Sequence, residues 1–532
     1  MRHIRLAPYW LRFLVIAVLV IGVFFRFFNL DSKVYGHDEV YTSLRIAGYT
    51  TTEVKQQIFN DRILKREDFF TYQSLNPKRG LGETLKSLAT EDPRHPPLYY
   101  VITRLWAQLF GTSITAIRSL SAIISLLVFP CIYWLCQELF DVPLSVPYLA
   151  IALVAISPIH LIYAQEAREH MLWLVTIILS SASLLRALRL ESKWQSKEQN
   201  TITWGIYAAT LSLSLYTSLL SGFVVVAHGT YVIATTEFRW TKTVKAYALF
   251  SLAAFLAFTP WLLVILANLS QFYRTTVWTT VKLPLFALIQ SWLIQFSRIF
   301  CDFNLDLKNL FIYFITLIFF SLVGYSIYIL CYTTHPKVWL FIVTLIAIPA
   351  LPLLLPDFIF GGIRSTAEQY LMPCYLGIQL ACAYLLATQL YNGILSRRRI
   401  WQMILAAIIF VGILSCTIYS QQVTWWNKVI SYSNPQVANI INQSSRPLLV
   451  SDSSRMNYGN VFSLSYLVQP KVRFLLLKNN NLSKVPKGFT DIFLLNPSPT
   501  LRKSIEKKSK FIARVVYQNK YSSLWKLAKP LK

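Results

Sequence analysis

Charge is what this sequence has least of. Only 14% of its 532 residues are Asp, Glu, Lys or Arg, against about a quarter in soluble domains, which excludes an ordinary water-soluble globule. Acids are scarcer than bases, 24 against 51, leaving a net charge of +27. In a soluble chain that excess would suggest nucleic acid. Here the bases sit mostly in loops between apolar runs or in the last 112 residues, so nucleic acid is not the expected partner. The seven cysteines, at 131, 136, 301, 331, 374, 382 and 416, lie mainly inside apolar runs and form no paired spacing. Neither a disulfide framework nor a zinc site is indicated on that ground, and redox chemistry finds no support.

What is abundant is hydrophobicity: 55% of residues are apolar, and they come in runs near the roughly 20 residues that cross a bilayer. Eleven runs have the right character, at 11–28, 114–136, 143–163, 168–190, 202–218, 220–236, 245–267, 309–332, 337–355, 369–391 and 400–420. The first follows Arg2 and Arg5 like a signal sequence but ends in no small-residue cleavage site, and it reads as a retained signal anchor. Lys and Arg in short loops favour the cytoplasm, which places Arg186, Arg189, Lys193, Lys197, Arg239, Lys242, Lys245 and Arg397 to Arg399 on one side. All agree only if residues 97–110, a short run interrupted by Arg104, lie in the outer interface instead of spanning.

The expected architecture is a polytopic α-helical membrane protein. Residues 1–420 form its transmembrane catalytic domain, with 29–113 as the first outer loop, and residues 421–532 form a small extracytoplasmic α/β domain. In the latter, short apolar runs at 447–450, 472–477, 492–495 and 511–516 alternate with Asn, Pro and Ser breakers. It carries 18 bases against Asp452, Asp491 and Glu506, a net +15, which suits anionic headgroups or an acidic acceptor or else a plain solvated surface. Its loss is expected to weaken acceptor use more than donor hydrolysis.

Polar chemistry is confined to four clusters beside apolar runs. Gly36-His37-Asp38-Glu39 offers carboxylates that reach a lipid-linked substrate without entering hydrocarbon, or a helix start capped by Asp38. In Glu91 to Tyr100, Pro96 keeps His95 out of helical geometry and Pro97 suits a helix start, which either fixes an imidazole at the mouth of the interfacial helix or merely punctuates the loop. Ser157 to His170 packs Gln165, Glu166, Arg168, Glu169 and His170 between two apolar runs; on a helix Glu166 would share a face with His170, and Gln165 with Arg168 and Glu169. Phe360 to Tyr370 sets Arg364 beside two glycines and two hydroxyls, a phosphate cradle or a snorkelling arginine.

In this order, Asp38-Glu39, His95-Pro96-Pro97-Leu98-Tyr99, Arg118-Ser119-Leu120-Ser121, Gln165-Glu166-Ala167-Arg168 and Gly362-Ile363-Arg364-Ser365 resemble the dolichyl-phosphate-mannose protein mannosyltransferase superfamily. This is glycosyltransferase family 39, with bacterial relatives that include the lipid A aminoarabinose transferase. The resemblance covers residues 10–420 and implies a GT-C fold and sugar transfer from a polyprenyl phosphate to an acceptor on the outer face. It matches the catalytic aspartate to Asp38 with Glu39 beside it, the His-Pro-Pro motif to His95 to Pro97, and the second-loop acid and arginine to Glu166 and Arg168. Two positions depart from the pattern, His170 where relatives have tyrosine and Gln369 where they have arginine.

The expected chemistry is one inverting displacement, with Asp38 as base and His95, Gln165, Glu166, Arg168 and Arg364 as substrate-binding groups. No P-loop is present, which suits a donor already linked to lipid. No cofactor is required, although His37, His95 and Glu166 offer ligands for a divalent cation. Expected partners are the polyprenyl-phosphate sugar, a lipid, glycan or protein acceptor, and the lipids of a prokaryotic plasma membrane. A transporter or flippase would place ionisable groups near the midplane and show repeated halves. A lipid-linked glycan polymerase or ligase is the other alternative, and the early Asp-Glu pair with His-Pro-Pro favours family 39 over it.

Overall fold

The computed structural model describes residues 8–140, 145–191, 197–391, 394–454, 457–479, 482, 486–508 and 511–528. Arg2, Arg5 and Lys193, used above for orientation, lie outside them. The chain forms two compact units. The first comprises residues up to 28, 92–99 and 118–420, and the second comprises 29–91, 100–117 and the residues from 421 onward. Most of residues 29–113, expected as an outer loop, therefore share a unit with the C-terminal region, and the break at 420 is not the whole boundary.

The first unit is helical. Among the described residues, eight helices are long and apolar enough to cross a membrane, or up to ten if each of two bent pairs counts as one span. Eleven were expected. The 143–163 run is two helices, Ser145–Ala155 and Pro158–Ala164, bent by 61°. Ser221–Thr235 has only 15 residues, and Lys197–Thr217 begins with Lys197, Glu198, Gln199 and Asn200, so both fall short of a full apolar span. Conversely, the stretch 268–308, which lies between two of the expected runs, contains the second bent pair, Leu269–Thr280 and Leu285–Arg298.

Close backbone approach fixes the first helix, Tyr9–Phe27, against Ser145–Ala155. A Cβ on Gly22 would stand 2.5 Å from the Ala155 carbonyl oxygen. One turn later the fully buried Arg26 donates to the carbonyls of Gly22 at 2.7 Å, Ala155 at 2.8 Å and Val154 at 3.2 Å, and lies over the Phe129 ring. A buried guanidinium is tolerated because these acceptors replace its water.

The second unit is built on a mixed six-stranded sheet. Its strands are β1 Ile63–Lys65, β2 Pro447–Asp452, β3 Arg473–Leu477, β4 Asp491–Leu495, β5 Ile512–Gln518 and β6 Ser523–Ala528, in the order β1-β3-β2-β4-β6-β5. The three central strands are parallel, and their near-continuous Leu, Val and Phe content is what a sheet buried on both faces needs. Leu448, Val450, Leu475, Leu494, Leu501 and Ile505 form one core. β1 comes from the first outer loop and pairs antiparallel with β3, Ile63 opposite Leu475.

Residues 97–110 are helical from Leu98 to Phe110, with Leu105, Leu109 and Phe110 exposed. Arg104 does not merely interrupt that helix. It is buried and donates to the carbonyls of Ile46 and Arg79 and to Thr84 Oγ1, tying the helix into its unit.

In the same unit the buried Arg45 meets Glu91 at 2.6 Å, and Glu91 accepts from the N–H groups of Thr51 and Thr52. Burial opposes the charge, but Arg45 and the backbone donors lower the Glu91 pKa to about 2. The folded value is below the unfolded one, so this stability is complete above about pH 5 and lost as pH falls toward 2. Glu91→Gln should destabilise the unit by about 3 kcal/mol at pH 7 and have little effect at pH 2. Hydrogen exchange over residues 51–58 measures both, and an effect independent of pH would contradict this account.

Candidate active site

Gly36-His37-Asp38-Glu39 opens the helix His37–Ile46, with Gly36 as the residue before its first turn. The cap is Glu39 and not Asp38: its Oε2 accepts from the Gly36 N–H at 2.9 Å. The same oxygen is paired with Lys428 Nζ at 2.9 Å, and both side chains are almost fully buried. A carboxylate inside this unit persists because the ammonium and a backbone N–H replace its hydration. Asp38, on the helix's outer side, is exposed. The two carboxylates are therefore in different environments, Glu39 buried against Lys428 and Asp38 exposed.

In the first unit, the turn Asp92 to Pro97 presents His95. Its N–H closes the turn on the Asp92 carbonyl at 3.1 Å, and the helix begins at Leu98, as the paired prolines dictate. His95 Nδ1 lies 2.9 Å from Glu169 Oε1, while Arg168 Nη2 lies 3.3 Å from His95 Nε2 and 3.2 Å from Glu169. The geometry assigns one tautomer, in which Nδ1–H donates to Glu169 and Nε2 accepts from Arg168. Burial would raise the Glu169 carboxyl, but Arg168 and His95 hold it well below its usual range. Arg94 donates to Asp92 at 2.7 Å and to the Thr275 carbonyl at 2.9 Å. Three basic side chains and two acids thus meet in one polar cluster.

Residues 165–169 are a turn between the helices Pro158–Ala164 and His170–Glu191, not the helix that would have aligned Glu166 with His170. Their side chains consequently diverge. Gln165 Nε2 donates to the carbonyls of Phe25 at 2.7 Å and Phe28 at 2.8 Å, capping the end of the first helix, so its amide nitrogen holds protein in place of substrate. Glu166 is buried, and its carbonyl accepts from the Arg168 N–H at 2.8 Å. Gln369, one of the departures, accepts from Tyr163 at 3.1 Å, and His170, the other, packs edge-on against the Tyr163 ring.

Arg364 follows a turn that needs glycine: Gly361 has φ +81, and a Cβ on Gly362 would strike Asp357 Oδ1 and Arg364 Nη1. Arg364 Nη1 pairs with the buried Asp357 at 2.9 Å, and Asp357 also accepts from the Ser365 N–H and hydroxyl, each at 2.7 Å. The arginine remains partly exposed, with one acid already engaged. Asp38 and Glu39 belong to the second unit; His95, Gln165, Glu166, Arg168 and Arg364 belong to the first. Among the described residues no three or more His, Cys, Asp or Glu are grouped to hold a metal ion.

Residues 94–264 match the dolichyl-phosphate-mannose-protein mannosyltransferase family, in agreement with the motif resemblance. No curated protein matches the sequence. Among solved structures, ArnT from Cupriavidus metallidurans bound to undecaprenyl phosphate is similar at 13% identity and TM-score 0.54, over 98% of each chain. The Archaeoglobus fulgidus oligosaccharyltransferase tethered to an acceptor peptide is similar at 14% identity and TM-score 0.52, over 96% of this chain and 69% of that one. AglB from the same organism, in complex with an inhibitory peptide and a dolichol-phosphate, gives 13% and 0.51 over 95% and 69%. The fold is that of the GT-C glycosyltransferases.

Proposed function

From that fold, we propose that the chain is an inverting membrane glycosyltransferase that moves a sugar from a polyprenyl phosphate to an acceptor on the extracytoplasmic face of a prokaryotic plasma membrane. The observation that carries the reading is the contrast between the exposed Asp38 and the buried, lysine-paired Glu39. Asp38 takes the proton of the attacking acceptor hydroxyl. The acceptor oxygen bonds to the anomeric carbon, the bond from that carbon to the phosphate oxygen breaks, and the polyprenyl phosphate leaves with inversion. Charge gathering on the phosphate is met by Arg168 and Arg364, with His95 orienting Arg168. The undecaprenyl phosphate in ArnT and the dolichol-phosphate in AglB support a donor of this kind.

Purified protein incubated with a panel of polyprenyl-phosphate sugars should release polyprenyl phosphate from at least one. Transmembrane movement of an intact lipid-linked sugar without release would favour a flippase and overturn the reading. Within this reading Glu169 fixes the His95 tautomer that leaves Nε2 facing Arg168. Glu169→Gln removes a charge-assisted bond of about 1.4 kcal/mol and should slow donor cleavage about tenfold. Single-turnover kinetics test this, and an unchanged rate would separate Glu169 from the chemistry.

A further inference from the structure

We propose that Lys428 and Ser431, on the segment that follows the last long helix, are positioning residues for Asp38. The inference rests on reading Asp38 as the base. The residues around Asp38 are held from the C-terminal part of the chain. The Val34 N–H donates to the Val423 carbonyl at 2.9 Å, Ser463 Oγ donates to the Tyr35 carbonyl at 2.6 Å, and the His37 N–H donates to Ser431 Oγ at 3.0 Å. Lys428 Nζ then neutralises Glu39, whose carboxylate also fixes the Gly36 N–H. The Asp38 turn is thus pinned immediately before it by Ser431 and immediately after it by Lys428.

The segment that supplies these groups is itself constrained. Val429, between Lys428 and Ser431, has φ +36 and ψ −96, a conformation that a β-branched residue adopts only where its surroundings dictate it. Both constraints belong to one unit, and Lys428 is only 6% exposed, so its ammonium serves Glu39 and not a substrate. Without Lys428, the buried Glu39 carboxylate loses the ammonium 2.9 Å away, and the turn shifts to hydrate or protonate it. A shift of about 1 Å in a reacting group can cost about 10²-fold in rate.

The test compares Asp38→Asn, Lys428→Met, Lys428→Arg and the double variant Glu39→Gln/Lys428→Met in the full-length protein, reading kcat, donor KM and thermal unfolding. Lys428→Met should lower kcat by about 10- to 100-fold at unchanged KM, and Lys428→Arg should restore most of it. The double variant leaves no charge buried, keeps an acceptor for the Gly36 N–H, and should turn over faster than Lys428→Met. It also serves where that single variant fails to fold. Wild-type kcat in Lys428→Met with Asp38→Asn inactive would overturn the positioning role and spare the base. An active Asp38→Asn would overturn the base itself. A raised KM at unchanged kcat would make Lys428 a binding residue, and unfolding of both the single and double variants would assign it to stability alone; either result overturns the inference.

Discussion

Asp38→Asn should abolish sugar transfer while leaving the protein folded. The side chain is exposed in the first turn of the helix His37–Ile46, whose cap is supplied by Glu39, so an amide of the same size leaves that cap in place. What it removes is the proton acceptor, and loss of a positioned base typically costs about 10² to 10⁴ in rate. Polyprenyl phosphate release is the measurement, and near-normal turnover would defeat the assignment. Glu39→Gln marks the contrast. The sequence suggests a mild effect, since one carboxylate suffices as base, but in that variant the buried Lys428 loses its ion pair with Glu39. Breaking such a pair costs about 3 to 5 kcal/mol, so Glu39→Gln should first appear as lost stability.

The sequence pointed to Asp38 as the cap. Glu39 supplies only the half of a capping box in which a carboxylate accepts from the backbone N–H before the helix, and Gly36 has no side-chain oxygen for the other half, so the usual Ser or Thr signal was missing. The lysine partner of Glu39 was not legible, because a contact across 389 residues leaves no local pattern. The same reason hid β1, three residues whose only signal is a strand 400 residues away, and Asp357, which looks like one polar residue at the end of an apolar run. Glu169 stood in the marked cluster, but helical spacing was the wrong guide: the turn at residues 165–169 sends Gln165 to the first helix and Glu169 to His95. The order of the polar clusters, the proline-set helix start and the strands in the short C-terminal apolar runs could all be read, because each rests on neighbours in sequence.

Ending the chain after Ser420 should eliminate donor hydrolysis as well as transfer. With Asp38 outside the removed segment, the sequence suggests the opposite, that such a chain would still hydrolyse donor and lose mainly acceptor use. The structure places residues 29–91 in one unit with the C-terminal region. Phe69 packs edge-on against Phe462 and Phe474, Tyr35 packs against Tyr466, and β1 pairs with β3 at the edge of the sheet. Truncation removes all of these contacts together with Lys428, Ser431 and Ser463, which hold the Asp38 turn. A three-residue strand and a few short helices cannot keep their own core once those rings are gone. The apolar helices of the first unit retain their length and composition, so the truncated protein should still insert and keep most of its helicity. Release of polyprenyl phosphate with water as the only acceptor decides the matter: hydrolysis at the full-length rate would mean that the base does not depend on the C-terminal region, and both the positioning by Lys428 and the grouping behind it would fall.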